Sequence, residues 1–160
     1  MSNDVTQLKD WRYTVDFEGI AWAVFDRENE NANALGRRPL EELGAIVETV
    51  EAGARNGSLK GLVVMSGKAG SFIVGADIGE FDGLDTEAKV IEAITPVNQM
   101  LDRIEKMQVP VVAAVHGVCV GGGFELILAC QYRIATRASE TRVGFPEVKL
   151  GLFPGFNGTA

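Results

Sequence analysis

Residues 109–126 constrain the fold of this 160-residue chain more than any other stretch. They open with an apolar run from Val109 to Val115, largely β-branched, as expected for a strand that is covered on both faces. Three consecutive glycines, Gly121 to Gly123, follow where the backbone must turn sharply. Residues 124–130 are apolar, typical of a buried helix, and contain one acidic residue, Glu125. The stretch therefore predicts a strand, a glycine turn and the start of a helix.

This junction is a candidate site because a helix start presents free N–H groups and a partial positive charge to an anion or a developing oxyanion. An alternative remains open, since glycine turns between a strand and a helix are common in α/β proteins, and a glutamate in the first turn suits the helix dipole. Dinucleotide binding is not indicated, because Leu126 stands where that fingerprint requires a further glycine.

Composition narrows the function classes. A net charge of −7 without a basic run disfavours a nucleic-acid partner. No apolar stretch is long enough for a membrane span, and the first residues lack a signal-peptide pattern, so we expect a cytoplasmic protein. Cys119 and Cys130 lie in apolar surroundings and predict two buried thiols rather than a disulfide. His116 is the only histidine, and a structural role is favoured for it, so no metal site is expected.

The rest of the chain predicts alternating strands and helices. Further extended segments are expected at residues 11–17, 20–25, 60–65, 132–135 and 143–145, the first two forming a hairpin. One helix begins near Pro39. Thr95 resembles a cap before a first-turn proline, so the helical pattern of residues 87–107 predicts two helices or one helix kinked at Pro96. With residues 1–10 as a disordered lead-in, this order predicts a single α/β domain over residues 1–160.

A glycine-rich connection over residues 66–81 is long for a plain turn, and its Phe72, Ile73 and Val74 favour burial. The step from Gly75 to Asp77 can present a bare N–H group to a ligand. The alternative is a turn in which Asp77 caps a helix.

Glu147 is a second candidate carboxylate, because Phe145, Pro146 and Val148 around it would partly remove it from water. The alternative is a solvated loop glutamate supported by Lys149.

Three motifs together resemble the crotonase (enoyl-CoA hydratase/isomerase) superfamily. They are Gly-Ala-Asp-Ile at residues 75–78, Gly-Gly-Gly-Phe-Glu-Leu at 121–126, and the segment 145–155. The resemblance covers residues 11–160, and residues 72–81 are most similar to the hydratase part of multifunctional fatty-acid oxidation α subunits. It implies an α/β fold, a crotonase-type spiral of β-β-α units, of which this chain is expected to hold an N-terminal portion. Two departures are Asn157, where the family has a glycine, and a wide spacing between the two glutamates.

The resemblance also implies residue roles. Glu125 and Glu147 fall where hydratases carry two catalytic carboxylates, and the N–H groups of Ala76 and Gly122 fall where the oxyanion hole lies. The residues expected to bind CoA or substrate are Asn33, Ala34, Leu35, Gly75, Asp77, Ile78, Gly79 and Gly121.

The implied activity is hydration of 2-enoyl-CoA thioesters in fatty-acid β-oxidation. It requires no cofactor beyond the coenzyme A of the substrate, and NAD would matter only through a downstream dehydrogenase domain. Expected partners are the acyl-CoA, further copies of the chain, or the fatty-acid oxidation complex. Two alternatives stay open: an isomerase or another crotonase acting on a special acyl-CoA, and a non-enzymatic acyl-CoA-binding or assembly module with a vestigial site.

Overall fold

The computed structural model describes residues 8–81, 85–151, 153–156 and 158. Within these ranges the chain forms strands β1 (Trp11–Val15), β2 (Ile20–Phe25), β3 (Gly61–Ser66), β4 (Ser71–Ile73), β5 (Val111–Val115), β6 (Val118–Val120), β7 (Tyr132–Ala135) and β8 (Arg142–Gly144). The α-helices are α1 (Arg37–Asn56), α2 (Glu87–Glu105) and α3 (Gly122–Ala129), and short 3₁₀ helices lie at Ile78–Phe81 and Pro146–Leu150. The disordered lead-in expected over residues 1–10 is wrong at its end, because Asp10 is buried and forms an ion pair with Arg38. Residues 1–7 and the departure at Asn157 lie outside the described residues.

The strands form two sheets. The larger sheet has the order β1-β2-β3-β5-β7, in which β1 and β2 are the predicted antiparallel hairpin and the other pairs are parallel. The smaller sheet has the order β4-β6-β8, and all its pairs are parallel. Parallel neighbours require crossover connections, which α1, α2 and α3 supply.

Successive β-β-α units add one strand to each sheet. β3, β4 and α2 form one unit, and β5, β6 and α3 form the next. This arrangement confirms the predicted repeat, but the prediction missed β4 and β6. Each has only three residues, too few for an alternating pattern to show, so the sequence suggested a loop and a turn instead.

The core lies between the larger sheet and the helices. Leu43, Ile46, Val47 and Val50 of α1 are fully buried, as the helical spacing predicts, and Gly57 ends the helix with φ +77°. β5 alternates between buried and partly exposed residues, so the expectation of cover on both faces is wrong. Phe72 and Ile73 are buried as expected, whereas Val74 is exposed, contrary to the prediction.

Helix α2 is one continuous helix that contains Pro96, so the predicted cap at Thr95 is wrong. Thr86 caps the helix instead, and the Thr95 hydroxyl donates to the Ile91 carbonyl one turn back, at 2.6 Å. The apolar side chains of α2 are buried only in the second half of the helix, since Val90 and Ile91 in its first half are exposed.

Cys119 and Cys130 are both buried, and burial raises the pKa of each thiol to about 12. Within the described ranges, no helix has the length and hydropathy of a membrane span. The same part of the chain contains no cluster of three or more side chains of the metal-binding types.

Candidate active site

The glycine turn lies between β6 and α3. Gly121 has φ +56° and ψ −133°, a combination that favours glycine, and its N–H donates to the Gly144 carbonyl at 3.1 Å. Its own carbonyl accepts from the N–H groups of Phe124 and Glu125, at 2.8 and 3.0 Å, which starts α3. A Cβ atom on Gly123 would lie 2.6 Å from the Cβ of Ile73, so the third glycine lets the helix pack directly on β4.

The second turn follows β4. Gly75 has φ +110°, and a parallel bridge pairs Ala76 with Leu35. The Leu35 N–H donates to the Gly75 carbonyl at 2.8 Å, and the Asp77 N–H donates to the Leu35 carbonyl at 3.0 Å. Because the Gly75–Ala76 peptide is trans, the Ala76 N–H points opposite to that carbonyl and therefore away from Leu35.

The two turns contact each other. A Cβ atom on Gly121 would lie 3.4 Å from the Cα of Gly75, so a side chain there would be in van der Waals contact with the opposite turn. The N–H groups of Ala76 and Gly122 belong to the residues directly after this contact. Neither N–H donates a hydrogen bond to any atom of the described residues. Two backbone N–H groups that have no acceptor among the described residues thus lie beside the point where the Gly75 and Gly121 turns approach each other.

Glu125 is the buried carboxylate of α3, with 3% of its surface exposed. Its Oε1 accepts from the N–H groups of Phe156 and Gly158, at 2.6 and 2.9 Å. Burial raises the pKa of Glu125 above its ordinary value and the charge of Glu147 adds to the rise, while the two N–H donors oppose it. These two donors hold Oε1 and leave Oε2 for other partners.

Glu147 lies in the first turn of the second 3₁₀ helix and reaches the glycine turn. Its Oε1 lies 2.9 Å from the position that a Cβ on Gly121 would take. Its Oε2 is buried and has no hydrogen-bond partner among the described residues. The predicted surroundings are wrong at two points, because Pro146 and Val148 are both exposed, and Glu147 contacts the glycine turn instead.

The expected CoA-binding segment is supported from inside by Asn33, which has no exposed surface. Its amide nitrogen donates to Phe25 O, Ser66 Oγ and Phe72 O, and its Oδ1 accepts from the Arg27 N–H. Asn33 therefore ties three strand ends together and offers no surface to a ligand, whereas Ala34 is partly exposed.

Asp77 makes one capping contact and one ion pair. Its Oδ1 accepts from the Gly79 N–H at 3.3 Å, at the start of the 3₁₀ helix that begins at Ile78. Its Oδ2 lies 2.9 Å from Nη1 of Arg27. The alternative prediction for Asp77, a capping role, is thus confirmed, and 29% of the side chain remains exposed.

A cavity of about 660 Å³ opens beside Ala76, between α1 and α2. Its apolar wall includes Leu35, Leu40, Val97, Met100 and Phe156, and Arg37, Glu41, Lys89 and Glu92 are among its charged lining residues. Of the two predicted oxyanion donors, Ala76 lines this cavity and Gly122 does not. Neither Glu125 nor Glu147 lines it.

Sequence reasoning missed Arg27, Phe156 and Gly158. The last two act through backbone N–H groups, which leave no signal in side-chain chemistry. Arg27 sits in a polar, irregular segment, and only its contact with Asp77, fifty positions away, distinguishes it.

Comparison with known proteins places the chain in a family. A model of the enoyl-CoA hydratase/isomerase family matches residues 17–160. The chain belongs to this family. It is 43% identical over 155 residues to the fatty acid oxidation complex subunit alpha of Idiomarina loihiensis, covering 97% of this chain and 22% of that protein. It is 42% identical over 144 residues to the same subunit of Acinetobacter baumannii, covering 89% and 19%. The chain thus spans about a fifth of the length of these curated relatives.

Solved structures agree with this assignment. The enoyl-CoA hydratase of Bacillus anthracis matches with a TM-score of 0.78 at 31% identity, over 92% of this chain and 55% of that chain. DspI of Pseudomonas aeruginosa matches with a TM-score of 0.81 at 26% identity, over 94% and 54%. The predicted superfamily and its fold are therefore confirmed, with this chain corresponding to a little over half of each solved chain.

Proposed function

We propose that the protein hydrates 2-enoyl-CoA thioesters. The observation that carries the proposal is the contact between the Gly75 and Gly121 turns, against which the Glu147 carboxylate also lies. This contact leaves two backbone donors and a carboxylate around one small region. The relatives are fatty acid oxidation subunits, which supports a place in fatty-acid β-oxidation and within such a complex. A cytoplasmic location is part of the proposal.

The two N–H donors are suited to an oxyanion. When water adds across a 2-enoyl thioester, charge develops on the thioester oxygen as an enolate. The N–H groups of Ala76 and Gly122 would hydrogen-bond that oxygen, and their rigid backbone needs no rearrangement as the charge grows. In acyl-transfer enzymes, removing one oxyanion-hole donor costs on the order of 3 kcal/mol of transition-state stabilisation, and a similar contribution is proposed here.

The two carboxyl groups are suited to the proton transfers. Glu125 takes a proton from the attacking water, whose oxygen bonds to the β-carbon, and Glu147 gives a proton to the α-carbon. Burial and the nearby Glu147 raise the pKa of Glu125, which strengthens it as a base. One proton shared between the pair supplies both steps, so the reaction needs no cofactor besides the coenzyme A of its substrate.

The test is hydration of crotonyl-CoA, followed by the loss of enoyl-thioester absorbance, with the longest natural form of the protein. Glu125→Gln and Glu147→Gln are each expected to lower kcat by about 100-fold or more, since each removes one proton-transfer group. Glu140→Gln is the matched control, because Glu140 is exposed and bonds only to Ser139 among the described residues. Thermal unfolding of all three variants verifies that they fold.

Near-normal turnover in either site variant would remove that residue from the mechanism. A wild-type protein that moves the double bond of a 3-enoyl-CoA without hydrating crotonyl-CoA would favour the isomerase alternative. A protein whose melting temperature does not respond to acetoacetyl-CoA would favour the assembly module.

A further inference from the structure

Arg27 joins the end of β2 to the turn that carries Ala76. It lies two residues after β2, and its side chain is only 17% exposed. Its Nη1 donates to Asp77 Oδ2 at 2.9 Å and to the Ala34 carbonyl at 3.5 Å. These partners belong to the two segments that pair through the Leu35–Ala76 bridge. One guanidinium therefore contacts both sides of the bridge that holds Ala76.

The base of this side chain is itself fixed. The Arg27 N–H donates to Asn33 Oδ1 at 3.0 Å, and the Arg27 carbonyl accepts from Lys68 Nζ at 2.6 Å. Asn33 is fully buried and bonded to three strand ends, so the backbone of Arg27 is tied to the sheet. Because its backbone is restrained in this way, the Arg27 side chain can restrain the groups that it contacts.

Apart from Arg27, the turn is held by backbone hydrogen bonds to the Leu35 segment and by its contact with the Gly121 turn. Gly75 and Ala76 have no side chain beyond a methyl group, and their backbone bonds all run to the Leu35 segment. Those bonds fix one edge of the turn. The contact between Arg27 and Asp77 is the side-chain link that restrains the residue immediately after Ala76.

We infer that Arg27 is a positioning residue for the oxyanion hole: through Asp77 and the Ala34 carbonyl it fixes the direction of the Ala76 N–H. This inference rests on the proposed function. Arg27 acts through the turn and does not touch the substrate. Its removal lets the Gly75–Ala76 peptide rotate, which misdirects a donor whose effect is greatest in the transition state.

The expected signature is therefore a change in kcat more than in KM. In Arg27→Met, kcat for crotonyl-CoA is expected to fall about 10- to 100-fold, because small misplacements of a catalytic group cost this much. KM is expected to change by a smaller factor than kcat, since Arg27 itself does not touch the substrate. Arg27→Lys keeps a charge that reaches Asp77 and is expected to recover part of the loss.

Arg12→Met is the matched control. Arg12 lies in β1 and forms an ion pair with Asp26, the residue before Arg27, at 2.7 Å, and neither member of this pair belongs to the Ala76 turn. We expect kcat of this variant to equal that of the wild type. Asp77→Asn breaks the Arg27 pair from the other side, and the double variant with Arg27→Met is expected to be no slower than the slower single variant.

A spectroscopic readout separates this inference from the proposed function. A bound enoyl-CoA with a conjugated aromatic chromophore absorbs at longer wavelength when donors polarise its thioester carbonyl. The wild type and Arg12→Met are expected to show this red shift, and Arg27→Met to lose most of it while still binding the probe. The shift is measurable even in a protein that fails to hydrate crotonyl-CoA, which would reject the proposed function alone.

Two results would overturn the inference. The first is an Arg27→Met variant whose kcat stays within threefold of Arg12→Met. The second is a variant that loses activity together with thermal stability while the bound probe keeps its full red shift. If Arg27→Met does not fold, Asp77→Asn with the same probe decides the question in the same way.

Discussion

Gly121→Ala is the substitution that most directly tests the proposed arrangement of the site. Gly121 has φ +56°, which L-residues rarely adopt, and a Cβ there would lie 2.9 Å from Oε1 of Glu147 and 3.4 Å from the Cα of Gly75. The two contacts differ in kind. The first atom is the end of a side chain, which can move away at little cost, whereas the second belongs to the backbone of the facing turn.

The magnitudes follow from this difference. Backbone strain at Gly121 is expected to lower the free energy of unfolding by about 1–3 kcal/mol. The clash with Glu147 adds little to that, because the carboxylate can swing out. The same movement removes the carboxylate from the two N–H donors, so kcat/KM is expected to fall by about 100-fold or more. A modest loss of stability should thus accompany a large loss of activity.

The assay combines crotonyl-CoA hydration with thermal unfolding, and Gly57→Ala is the matched control. Gly57 also has a left-handed φ, of +77°, but no atom of the described residues lies within 4 Å of its added Cβ. This variant is expected to lose about 1 kcal/mol of stability and no activity. If Gly121→Ala retained kcat/KM within about threefold of Gly57→Ala, Glu147 and the glycine turn could not be the machinery proposed here.

Two further predictions concern the supports of the site. Glu125→Gln should gain stability relative to the wild type as pH rises. Burial raises the pKa of Glu125 in the folded protein above its value in the unfolded chain. The wild type therefore has a stabilising contribution below about pH 4.3 that it loses as pH rises through the folded-state pKa, whereas the glutamine variant has no such group to titrate. Thermal unfolding from about pH 4 to about pH 8 measures this, and a constant difference between the two proteins would contradict it. Asn33→Leu should lower the free energy of unfolding by about 2–4 kcal/mol in denaturant titrations, since the Phe25 and Phe72 carbonyls lose a buried donor. Asn56→Leu, at an exposed position, should change it by less than about 1 kcal/mol, and an equal loss in both variants would show that the buried amide is not the cause.

The sequence was sufficient for the long elements and for the motif residues. The helical spacing from Leu43 to Val50 and the alternation in the first hairpin each reflect burial on one face, which is a local pattern. Glu125 stood out because an acidic residue is rare in an apolar helix, and it is indeed buried. These features depend on residues that are close together in the chain, so they can be predicted from the sequence alone.

Other features depended on tertiary contacts and were not predictable. The sequence left open whether Pro96 divides α2, and Val148 is exposed although its apolar neighbours suggested a buried pocket. The backbone donors to Glu125 come from Phe156 and Gly158, more than thirty positions later, and carry no side-chain signal. In each case a contact between distant segments decides what local propensity leaves open.

The smaller sheet explains how such distant residues come to share one site. Ala76 lies three residues after β4, Gly122 two residues after β6, and Glu147 three residues after β8. These strands are parallel neighbours in the order β4-β6-β8, so their carboxyl ends lie side by side. Ligands of open parallel sheets bind outside the carboxyl ends of the strands. From β3 onward, each pair of consecutive strands adds one strand to this sheet and therefore one group to the candidate site, so the three groups converge because the pair repeats. Two of these strands, β4 and β6, were not predicted, which is why sequence patterns could identify the candidate residues but could not explain why they lie close together.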